Sequence, residues 1–457
     1  MFNSRNYTVQ TLPGKFDLLV LAQQASARYP YLLESTAQSL SDTAKTSRFN
    51  ILMAFPQQQL RKNWLGELYL DDNLLPQTSF LQSLNELYRQ SANTEPLPLP
   101  FAGGWFLYLG YELADEIEPG LGFPCTAQQL PLALATRIPA AIIYDHVTDL
   151  THVIAENAFA YSVRLMLEDL NALANTELNE MPDAMVIEEE PAQNYVDNVK
   201  RVLEYIKEGD VFQVNLSRQW HVAHHGEFSS HTIYRQLRNS NPAPFSAYVQ
   251  IDNVTILSSS PERLVRVQAG KIETRPIAGT RPRGLDQEDD TQLQAELIDN
   301  LKERAEHVML IDLERNDLGR VCKPGSILVD EMMVVESYAH VHHIVSNISG
   351  CLKQNILPGD IIAAVFPGGT ITGCPKVRCM QIIQELEQTI RGAYTGSLGY
   401  LNHNGDMDLN ILIRSIVIDN EHISVRAGAG LVADSIPEWE LEETRSKAKG
   451  LLLALGG

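Results

Sequence analysis

The sequence predicts an α+β fold, and three observations lead to this fold class. Strand-like runs and amphipathic helical segments both occur, but they come in groups instead of alternating as β-α-β units. A chain of 457 residues exceeds the usual single core, which predicts one large composite domain or two smaller ones. Hydrophobic residues make up 44% of the chain and charged residues 20%, as in ordinary globular proteins that bury a substantial core.

Short strands are predicted in the first part of the chain, at 49–54 and 140–144. The acidic run Glu188-Glu189-Glu190, which a proline follows, marks a change in the character of the sequence. We therefore divide the chain into an N-terminal region, 1–187, and a second region, 188–457, which carries most of the candidate chemistry.

The second region is predicted to contain three helices and three strands. Helices are expected where apolar residues recur every three or four positions, and strands where apolar and polar residues alternate. In the first of these strands, Gln213 and Asn215 should point to the same face. The predicted helices are 195–206, which Gly209 ends, 290–312, with Leu293, Leu297, Leu301, Ala305 and Val308 as its buried stripe, and 437–453; the predicted strands are 211–217, 409–414 and 423–432.

The charge balance excludes several classes of partner. A formal net charge of -21 disfavours nucleic acids and anionic membranes, which need clustered lysine and arginine. An anionic substrate would need local cations or a metal in such an acidic field. No apolar run approaches the length of a membrane span, and the first ten residues lack the features of a signal peptide, so a cytoplasmic location is expected. The five cysteines include no C-x-x-C pair, which predicts reduced thiols.

Three charged residues share one face of the last predicted helix. Glu440, Glu443 and Lys447 are three and four residues apart, so they lie on the same side. On a solvated face Glu443 and Lys447 would form an ion pair that contributes only ~0.2–0.5 kcal/mol. Alternatively, Glu306 with Glu440 or Glu443 could hold a hard cation such as Mg²⁺ if the two helices meet.

Two features of the C-terminal strands suggest contact with a ligand. Glycine inside a strand, as in Gly428-Ala429-Gly430, often marks a place where a ligand approaches the backbone, and a bulge or a tight helix contact would explain it equally well. A buried guanidinium at Arg414 needs an anion, which is either a ligand or a structural carboxylate.

Two further motifs are interpreted as structural. His340, His342 and His343 are clustered, but no second set of ligands with zinc spacing accompanies them. The segment 368–376 is similar to a phosphate-binding loop, yet its lysine does not follow the last glycine. We therefore predict neither a zinc site nor a nucleotide site at these positions.

Six segments in order resemble the chorismate-utilising enzymes, a family that includes anthranilate, aminodeoxychorismate, isochorismate and salicylate synthases. The resemblance covers nearly the whole chain and is strongest from residue 193 to residue 450. It implies a large composite chorismate-binding fold with antiparallel sheets packed against outer helices, and a bound Mg²⁺ ion. The segments are SPER at 260–263, RPIAGTRPRG at 275–284, RAEH at 304–307, DLERNDLG at 312–319, GGTITGCPK at 368–376 and ADS at 433–435.

The resemblance also implies roles for single residues. Glu262 matches the general acid that protonates the departing C4 hydroxyl of chorismate, while a nucleophile enters at C2. Mg²⁺ would be held by Glu306 and Glu443, with Glu440 close by, and would bridge the ring carboxylate. The remaining positions that match the site are His343, which lines it, Gly279 and Thr280, which contact the substrate, and Tyr394, Arg414, Gly428, Ala429 and Gly430 around the other carboxylate, with Lys447 nearby.

Residues 213 and 278 bear on the branch of the family. Isochorismate and salicylate synthases carry a lysine that activates water at the position matching Gln213, and an amide cannot act as that base. Ammonia from a separate glutamine amidotransferase subunit is therefore the expected nucleophile. Motif details at 213–216, 243–247, 368–373 and 407–410 resemble the aminodeoxychorismate branch, which leads to p-aminobenzoate and folate. Ala278 favours the anthranilate branch instead, because aminodeoxychorismate synthases commonly have a lysine there.

A second ligand pocket is implied near the N-terminus. Several residues resemble the tryptophan pocket that both aminating enzymes share, so tryptophan is an expected ligand that does not discriminate between them. These residues are Ser35, Ser47, Arg48, Phe49, Pro244, Phe245 and Ser246.

Overall fold

The computed structural model describes most of the chain. The described residues are 6–37, 48–93, 95, 97, 99–124, 128–173, 185–223, 229–284, 286–337, 341–420 and 422–456, with the side chains of Thr280, Pro282 and Lys302 left out. The α-helices are α1 (Leu18–Gln24), α2 (Phe80–Ser91), α3 (Ala114–Ile117), α4 (Tyr161–Asn171), α5 (Ala192–Glu208), α6 (Ser230–Ser240), α7 (Gln287–Asp299), α8 (Leu301–Val321), α9 (Pro358–Val365), α10 (Lys376–Glu387) and α11 (Pro437–Ala454). Short 3₁₀ turns occur at Tyr111–Leu113, Asn157–Phe159 and Gly369–Ile371.

The strands alternate with these helices in groups. They are β1 (Tyr7–Pro13), β2 (Tyr31–Glu34), β3 (Phe49–Ala54), β4 (Gln59–Lys62), β5 (Leu68–Leu70), β6 (Asn73–Leu74), β7 (Gly104–Leu109), β8 (Ala133–Ile138), β9 (Ala140–Asp145), β10 (Leu150–Glu156), β11 (Ile187–Glu189), β12 (Gln213–Ala223), β13 (Phe245–Ile251), β14 (Val254–Ser260), β15 (Arg263–Gln268), β16 (Lys271–Arg275), β17 (Ile277–Pro282), β18 (Leu328–Ser337), β19 (Val341–Cys351), β20 (Gly373–Cys374), β21 (Ser397–Asn402), β22 (Met407–Asn410), β23 (Ser415–Ile418) and β24 (His422–Leu431).

These strands form two antiparallel sheets. The first sheet runs in the order β1-β10-β9-β3-β2-β13-β14-β23-β24-β12-β11, with β20 beside β12. The second runs in the order β17-β19-β16-β15-β22-β21-β7-β8-β4-β5-β6, with β18 beside β19. Each sheet joins strands from residues 1–187 to strands from 188–457, through the pairs β2–β13 and β7–β21. The two regions distinguished in the sequence therefore share both sheets.

The two sheets pack face to face around an apolar core. Tyr31 of the first sheet stacks on Phe106 of the second with ring centroids 3.8 Å apart, which places aromatic surface at the centre of this layer. The outer face of the first sheet is covered by α1, α4, α6 and α11, and that of the second by α2, α8 and α9. The predicted α+β class, with antiparallel sheets between outer helices, is confirmed.

Several predicted elements agree closely with the structure. The strand at 49–54 is β3, and the helix at 195–206 lies within α5, which ends at Gly209 in a left-handed conformation with φ of 84°. The last helix, predicted at 437–453, is α11. Within the described residues, no helix combines the length and the apolar character that crossing a bilayer would require.

The long helix predicted at 290–312 is wrong. Two helices, α7 and α8, meet at Asn300, whose Oδ1 accepts a hydrogen bond from the backbone N–H of Glu303 at 3.1 Å and so begins a new helix. The predicted stripe is confirmed at Leu297, which is fully buried, but it is wrong in α8, where Leu301 is 79% exposed and Val308 48% exposed. The buried face of α8 instead carries His307, Leu310, Ile311, Glu314 and Leu318.

The strand predicted at 409–414 ends early. Strand β22 stops at Asn410, and β23 begins at Ser415. Arg414 lies in the break with φ of 53°, a conformation that no extended strand contains. The break turns Arg414 out of the apolar alternation that the sequence suggested.

Candidate active site

Strands β12 and β24 form the floor of the candidate site. In their antiparallel register Asn215 is opposite Gly430. A Cβ atom on Gly430 would lie 2.3 Å from Gln213 Nε2, and one on Gly428 would lie 2.7 Å from the carbonyl oxygen of Leu216. A side chain at 428 would therefore meet backbone, and one at 430 would meet the end of the Gln213 side chain, so both glycines mark a close approach to strand β24.

Two amide side chains leave acceptor oxygens free at this floor. Gln213 and Asn215 both lie against the glycines of β24, so they share one face of β12, as predicted. Gln213 Oε1 and Asn215 Oδ1 are buried and accept no hydrogen bond from the described residues. Asn215 Nδ2 donates to the carbonyl oxygen of Thr370 at 3.5 Å. Because buried acceptors are normally satisfied, both oxygens are available to a donor group on a ligand.

Glu262 supplies an enclosed carboxyl group between β14 and β15. Glu262 is only 5% exposed. Burial raises the pKa of this carboxyl to about 7, although Thr370, the backbone of Ile277 and the charge of Lys447 favour the ionised form. A substantial fraction of Glu262 therefore keeps its proton near neutral pH, which suits a general acid.

Lys447 connects the last helix to the glycine strand. Its Nζ donates to the carbonyl oxygen of Gly428 at 3.0 Å and pairs with the Glu443 carboxylate at 2.7 Å. The two side chains are 33% and 49% exposed, so a ligand can reach this pair. The same cation acts on Glu262, which places the acid, the floor and the face of α11 in one site.

Arg414 provides a second cation. It forms no ion pair within the described ranges, although Tyr394 and Glu443 lie close enough to favour its charged form against the effect of burial, which lowers its pKa. Tyr394 Oη lies 2.8 Å from the point where a Cβ atom on Gly428 would sit. Burial raises the pKa of Tyr394 to about 12, so its hydroxyl is a neutral donor. A phenol and an ammonium thus lie at Gly428, with the Arg414 guanidinium near the phenol, and these are the groups that an anion-binding site requires.

His343 faces the predicted substrate-contacting turn. It is opposite Thr280 in the register of β17 and β19. Burial and then the charge of Arg414 lower the pKa of His343 to about 4, while the backbone of Gly279 favours the protonated form. His343 is therefore a neutral imidazole at physiological pH. Gly279 has φ of +67°, and a Cβ atom there would lie 2.3 Å from Glu303 Oε2, so this turn requires glycine.

The predicted metal ligands lie on two helices. Burial, followed by the charges of Glu440 and Glu443, raises the pKa of Tyr195, so both carboxylates of α11 are near one hydroxyl group. Glu306 lies on α8, which packs against β17 and β19. Among the described residues, no group of three or more His, Cys, Asp or Glu side chains is arranged to hold a metal ion. Two carboxylates completed by water are a donor set that Mg²⁺ accepts, so Glu443 with Glu306, or with its neighbour Glu440, has the chemistry to hold the ion.

The histidine cluster is divided by the structure. His342 Nε2 lies 2.9 Å from Asp290 Oδ1, and its Nδ1 lies 2.8 Å from Ser337 Oγ, so this imidazole is held by structural contacts. His340 lies outside the described residues. Only His343 reaches the candidate site among the members that are described.

Sequence reasoning missed Glu314, which lies behind the site. A Cβ atom on Gly369 would lie 3.5 Å from Glu314 Oε1, so the carboxyl sits under the 369–371 turn. Burial, then the charge of Asp317, raises the pKa of Glu314, and Glu262 acts in the same direction. The four-residue spacing of Leu310, Glu314 and Leu318 would have revealed this position if the register of α8 had been predicted correctly.

The residues of the predicted tryptophan pocket gather at one end of β2, β3 and β13. Ser35 Oγ donates to the carbonyl oxygen of Pro244 at 3.0 Å. Ser246 is buried in β13, and Phe245, which begins that strand, lies with its ring centroid 5.0 Å from the guanidinium of Arg263. Ser47 lies outside the described residues.

Arg48 and Phe49 complete this group at the start of β3. Arg48 lies over the Phe49 ring at 4.7 Å from its centroid. Its guanidinium pairs with Asp145 at 2.8 Å and is half-exposed. Arg48 is therefore already paired to a carboxylate, while Ser35 and Ser246 are buried.

The sequence pattern that defines the chorismate binding enzyme family matches residues 29–453. The chain therefore belongs to the chorismate-binding enzymes. Anthranilate synthase component 1 of Aquifex aeolicus is 37% identical to this enzyme, over 99% of this chain and 96% of the relative. Aminodeoxychorismate synthase component 1 of Bacillus subtilis is 42% identical over 78% of this chain and 77% of the relative.

Solved structures agree with this assignment. Anthranilate synthase component I from Streptococcus pneumoniae superimposes on this chorismate-binding enzyme with a TM-score of 0.80 at 31% identity, over 91% of this chain and 94% of the other. The menaquinone-specific isochorismate synthase of Escherichia coli superimposes with a TM-score of 0.75 at 17% identity, over 98% of this chain and 94% of the other, which is a likeness of fold alone. Relatives named for different branches are thus similar to the chain, which is a chorismate-utilising enzyme.

Proposed function

We propose that this enzyme aminates chorismate to 4-amino-4-deoxychorismate, with ammonia supplied by a separate glutamine amidotransferase subunit. The observation that carries the proposal is the buried acid Glu262 beside the anion-binding floor of Gly428, Arg414 and Lys447. Chorismate has two carboxylates to be bound and a C4 hydroxyl that must leave, and this site offers cations for the first and a proton for the second.

The binding roles follow from the positions of the side chains. One carboxylate would be held by Arg414, the hydroxyl of Tyr394 and the backbone of 428–430, with Lys447 nearby. When bound, Mg²⁺ on Glu306 and Glu443, with Glu440 close by, would neutralise the ring carboxylate. His343, a neutral imidazole beside Gly279, would line the ring face of the pocket.

The reaction is proposed to begin with Glu262. Its carboxyl gives a proton to the C4 hydroxyl, which leaves as water while ammonia forms a bond to C2. The attacking ammonia gives up one proton, which restores the acid form of Glu262. A second ammonia then forms a bond to C4 while the bond from C2 to its amine breaks. The incoming ammonia gives up one proton and the departing amine takes up one proton, so it leaves as ammonia and the product is 4-amino-4-deoxychorismate.

Gln213 supports ammonia over water as the nucleophile. An amide cannot remove a proton from water, whereas neutral ammonia needs no deprotonation before it attacks. The free, buried Oε1 of Gln213 is a suitable acceptor for an N–H of ammonia. The same feature argues against isochorismate as the product.

Different observations favour the aminodeoxychorismate branch and the anthranilate branch. The relative named aminodeoxychorismate synthase component 1, and the motif details at 213–216 and 368–373, support amination at C4. Ala278 of β17, which is opposite Ile344 of β19, favours anthranilate as the second candidate product. The relatives named anthranilate synthase favour it as well. A methyl group cannot attack C2, so the proposal assigns that attack to ammonia or another small nucleophile. Anthranilate would form instead if the C2 adduct lost pyruvate.

Product analysis tests the proposal. The purified chain is incubated with chorismate, Mg²⁺ and ammonium at mildly alkaline pH, and the products are separated by liquid chromatography and identified by mass. We expect 4-amino-4-deoxychorismate, which an added lyase converts to p-aminobenzoate. Substantial anthranilate without added lyase would refute 4-amino-4-deoxychorismate as the product and establish anthranilate instead.

A further inference from the structure

A buried charge cluster lies beneath Tyr394. Glu387 accepts hydrogen bonds from Arg391 Nη2 at 2.6 Å and from Arg426 Nη2 at 2.9 Å. The backbone N–H and the hydroxyl of Ser217 each donate to the same carboxylate at 2.8 Å. The side chains of Glu387, Arg391 and Arg426 are 2%, 1% and 7% exposed. Two guanidinium groups thus face a single carboxylate inside the protein, and we call these three residues the buried charge cluster.

The cluster contacts three parts of the site: the Tyr394 ring, strand β12 and the 369–371 turn. The guanidinium carbons of Arg391 and Arg426 lie 5.6 Å and 5.7 Å from the centroid of the Tyr394 ring. Arg391 also donates to the carbonyl oxygen of Asn215 at 2.8 Å and to that of Ile371 at 3.2 Å. The planar guanidinium of Arg391, which we call its fork, therefore contacts β12, the 369–371 turn and the Tyr394 phenol at the floor.

The cluster carries more positive than negative charge. Although burial opposes ionisation, Arg391 and Arg426 lower the pKa of Glu387, so this carboxylate is ionised. Glu112 is a second carboxyl group nearby, and it accepts hydrogen bonds from the backbone N–H groups of Arg391 at 2.7 Å and Gly392 at 3.1 Å. Burial raises the pKa of Glu112 to about 7. An unbalanced charge in a poorly polarisable interior is costly unless an anion comes near it.

We propose that the buried charge cluster is a second, non-contacting layer of the anion site: its excess positive charge attracts the dianionic substrate, and the Arg391 fork positions Tyr394 and Asn215 to receive it. This inference rests on the proposed binding of chorismate at Gly428. Arg391 is a positioning residue, because Tyr394 and the backbone lie between it and the substrate.

Substitutions at Arg391 separate the charge from the fork. Arg391→Gln removes both, and we expect KM for chorismate to rise by about tenfold or more with a smaller change in kcat. Arg391→Lys keeps the charge and loses the planar fork, so KM should recover most of that loss. Arg137→Gln is the matched control, because it breaks another largely buried pair, with Glu156, on strands β8 and β10, which contribute no residue to the site; it should lower Tm and leave KM unchanged.

Glu112→Gln provides a test that leaves the cluster itself intact. The charged and titratable groups around Glu112 are Arg426 of β24, Tyr108 of β7 and Tyr111 of the 3₁₀ turn that follows β7. Arg391, beyond the end of α10, donates its backbone N–H to Glu112, and Glu387, at the end of α10, acts on the same Arg426 and Tyr111. As pH rises through about 7, Glu112 ionises and cancels the excess charge, so KM of the wild type should rise. In Glu112→Gln this rise should be smaller, while ionisation of Glu262 affects both proteins alike.

The outcomes distinguish this inference from the proposed function. KM of Arg391→Gln equal to that of the wild type, or superimposable pH profiles for the wild type and Glu112→Gln, would overturn the inference. If Arg391→Gln does not fold, the Glu112→Gln comparison decides alone. A wild-type enzyme that converts no chorismate would instead refute the proposed function.

Discussion

The Nζ of Lys447 donates a hydrogen bond to the carbonyl oxygen of Gly428 at 3.0 Å. This contact joins the last helix to the strand that lies at the floor of the site. It also fixes an ammonium group where it favours the ionised form of Glu262. The binding of an anion and the protonation of the acid are therefore linked through one side chain.

Replacing Lys447 by methionine should change both properties. Because the ammonium lowers the pKa of Glu262, its loss should raise that pKa further and extend the protonated form to higher pH. We expect the alkaline limb of the pH dependence of kcat to move upward and KM for chorismate to increase. Lys449→Met, on an exposed position of the same helix, is the control and should change neither. An unchanged alkaline limb in Lys447→Met would contradict the link.

The glycines of β24 predict a graded response to alanine. In Gly428→Ala the new Cβ would meet the backbone oxygen of Leu216 at 2.7 Å, so we expect a loss of about 1–3 kcal/mol in the free energy of unfolding and a higher KM. In Gly430→Ala the obstacle is the end of the Gln213 side chain, which can move, so stability should fall less and turnover more.

Gly319 offers a matched control for these substitutions. It lies in α8, and a Cβ atom there would have only Ile327 Cδ1 within reach, at 4.0 Å. Gly319→Ala should therefore preserve or raise Tm in thermal denaturation, since alanine favours helix. Equal Tm values for Gly428→Ala and Gly319→Ala would refute the close packing at the floor.

The buried Glu314 predicts a loss of stability at alkaline pH. Its pKa in the folded protein is raised by burial and by the charge of Asp317, so the folded state holds this proton more tightly than the unfolded state does. The corresponding stability is fully present below the ordinary glutamate pKa and is lost as pH rises through the raised value. Glu314→Gln should therefore gain stability relative to the wild type as pH increases, measured by urea denaturation at a series of pH values. A constant difference across pH would show that Glu314 ionises normally.

The pocket at the end of β2, β3 and β13 predicts binding of tryptophan. A ligand that binds only the folded state raises Tm with concentration, so L-tryptophan should shift Tm upward in the wild type. Ser246→Leu should abolish the shift, because Ser246 is buried between the strands and the larger side chain would occupy the space. L-phenylalanine serves as the control ligand. No shift of Tm and no change of activity with tryptophan would rule out this pocket.

The sequence predicted those parts of the fold in which local pattern and tertiary packing agree. Three elements show this agreement: α5 with its apolar spacing and the glycine that ends it, β12 with its alternation, and β24. In each, the local sequence pattern matches the layer in which the element packs. The same agreement placed Gln213 and Asn215 on one face, where the structure leaves their side-chain oxygens free.

The failures occurred where long-range contacts override the local pattern. The leucines at 293, 297 and 301 suggested one stripe, but the cap at Asn300 rotates α8 so that Leu301 is exposed and Glu314 is buried. Arg414 continued an apolar alternation, yet its positive φ ends the strand. The buried charge cluster could not be predicted, because Glu387, Arg391 and Arg426 come together only after α10 and β24 have packed.

The most direct test of the account is the Glu262→Gln variant. Glutamine keeps the size of the side chain and cannot donate a carboxyl proton, so turnover with chorismate, Mg²⁺ and ammonium should fall by roughly 10²–10⁴-fold. Chorismate binding, measured by calorimetry, should remain within about threefold of the wild type, because the cations of the floor are untouched. Glu273→Gln, on β16 and paired with Lys271, controls for the loss of a carboxylate. Turnover by Glu262→Gln within tenfold of the wild-type rate would contradict the assignment of the buried acid and, with it, the central claim.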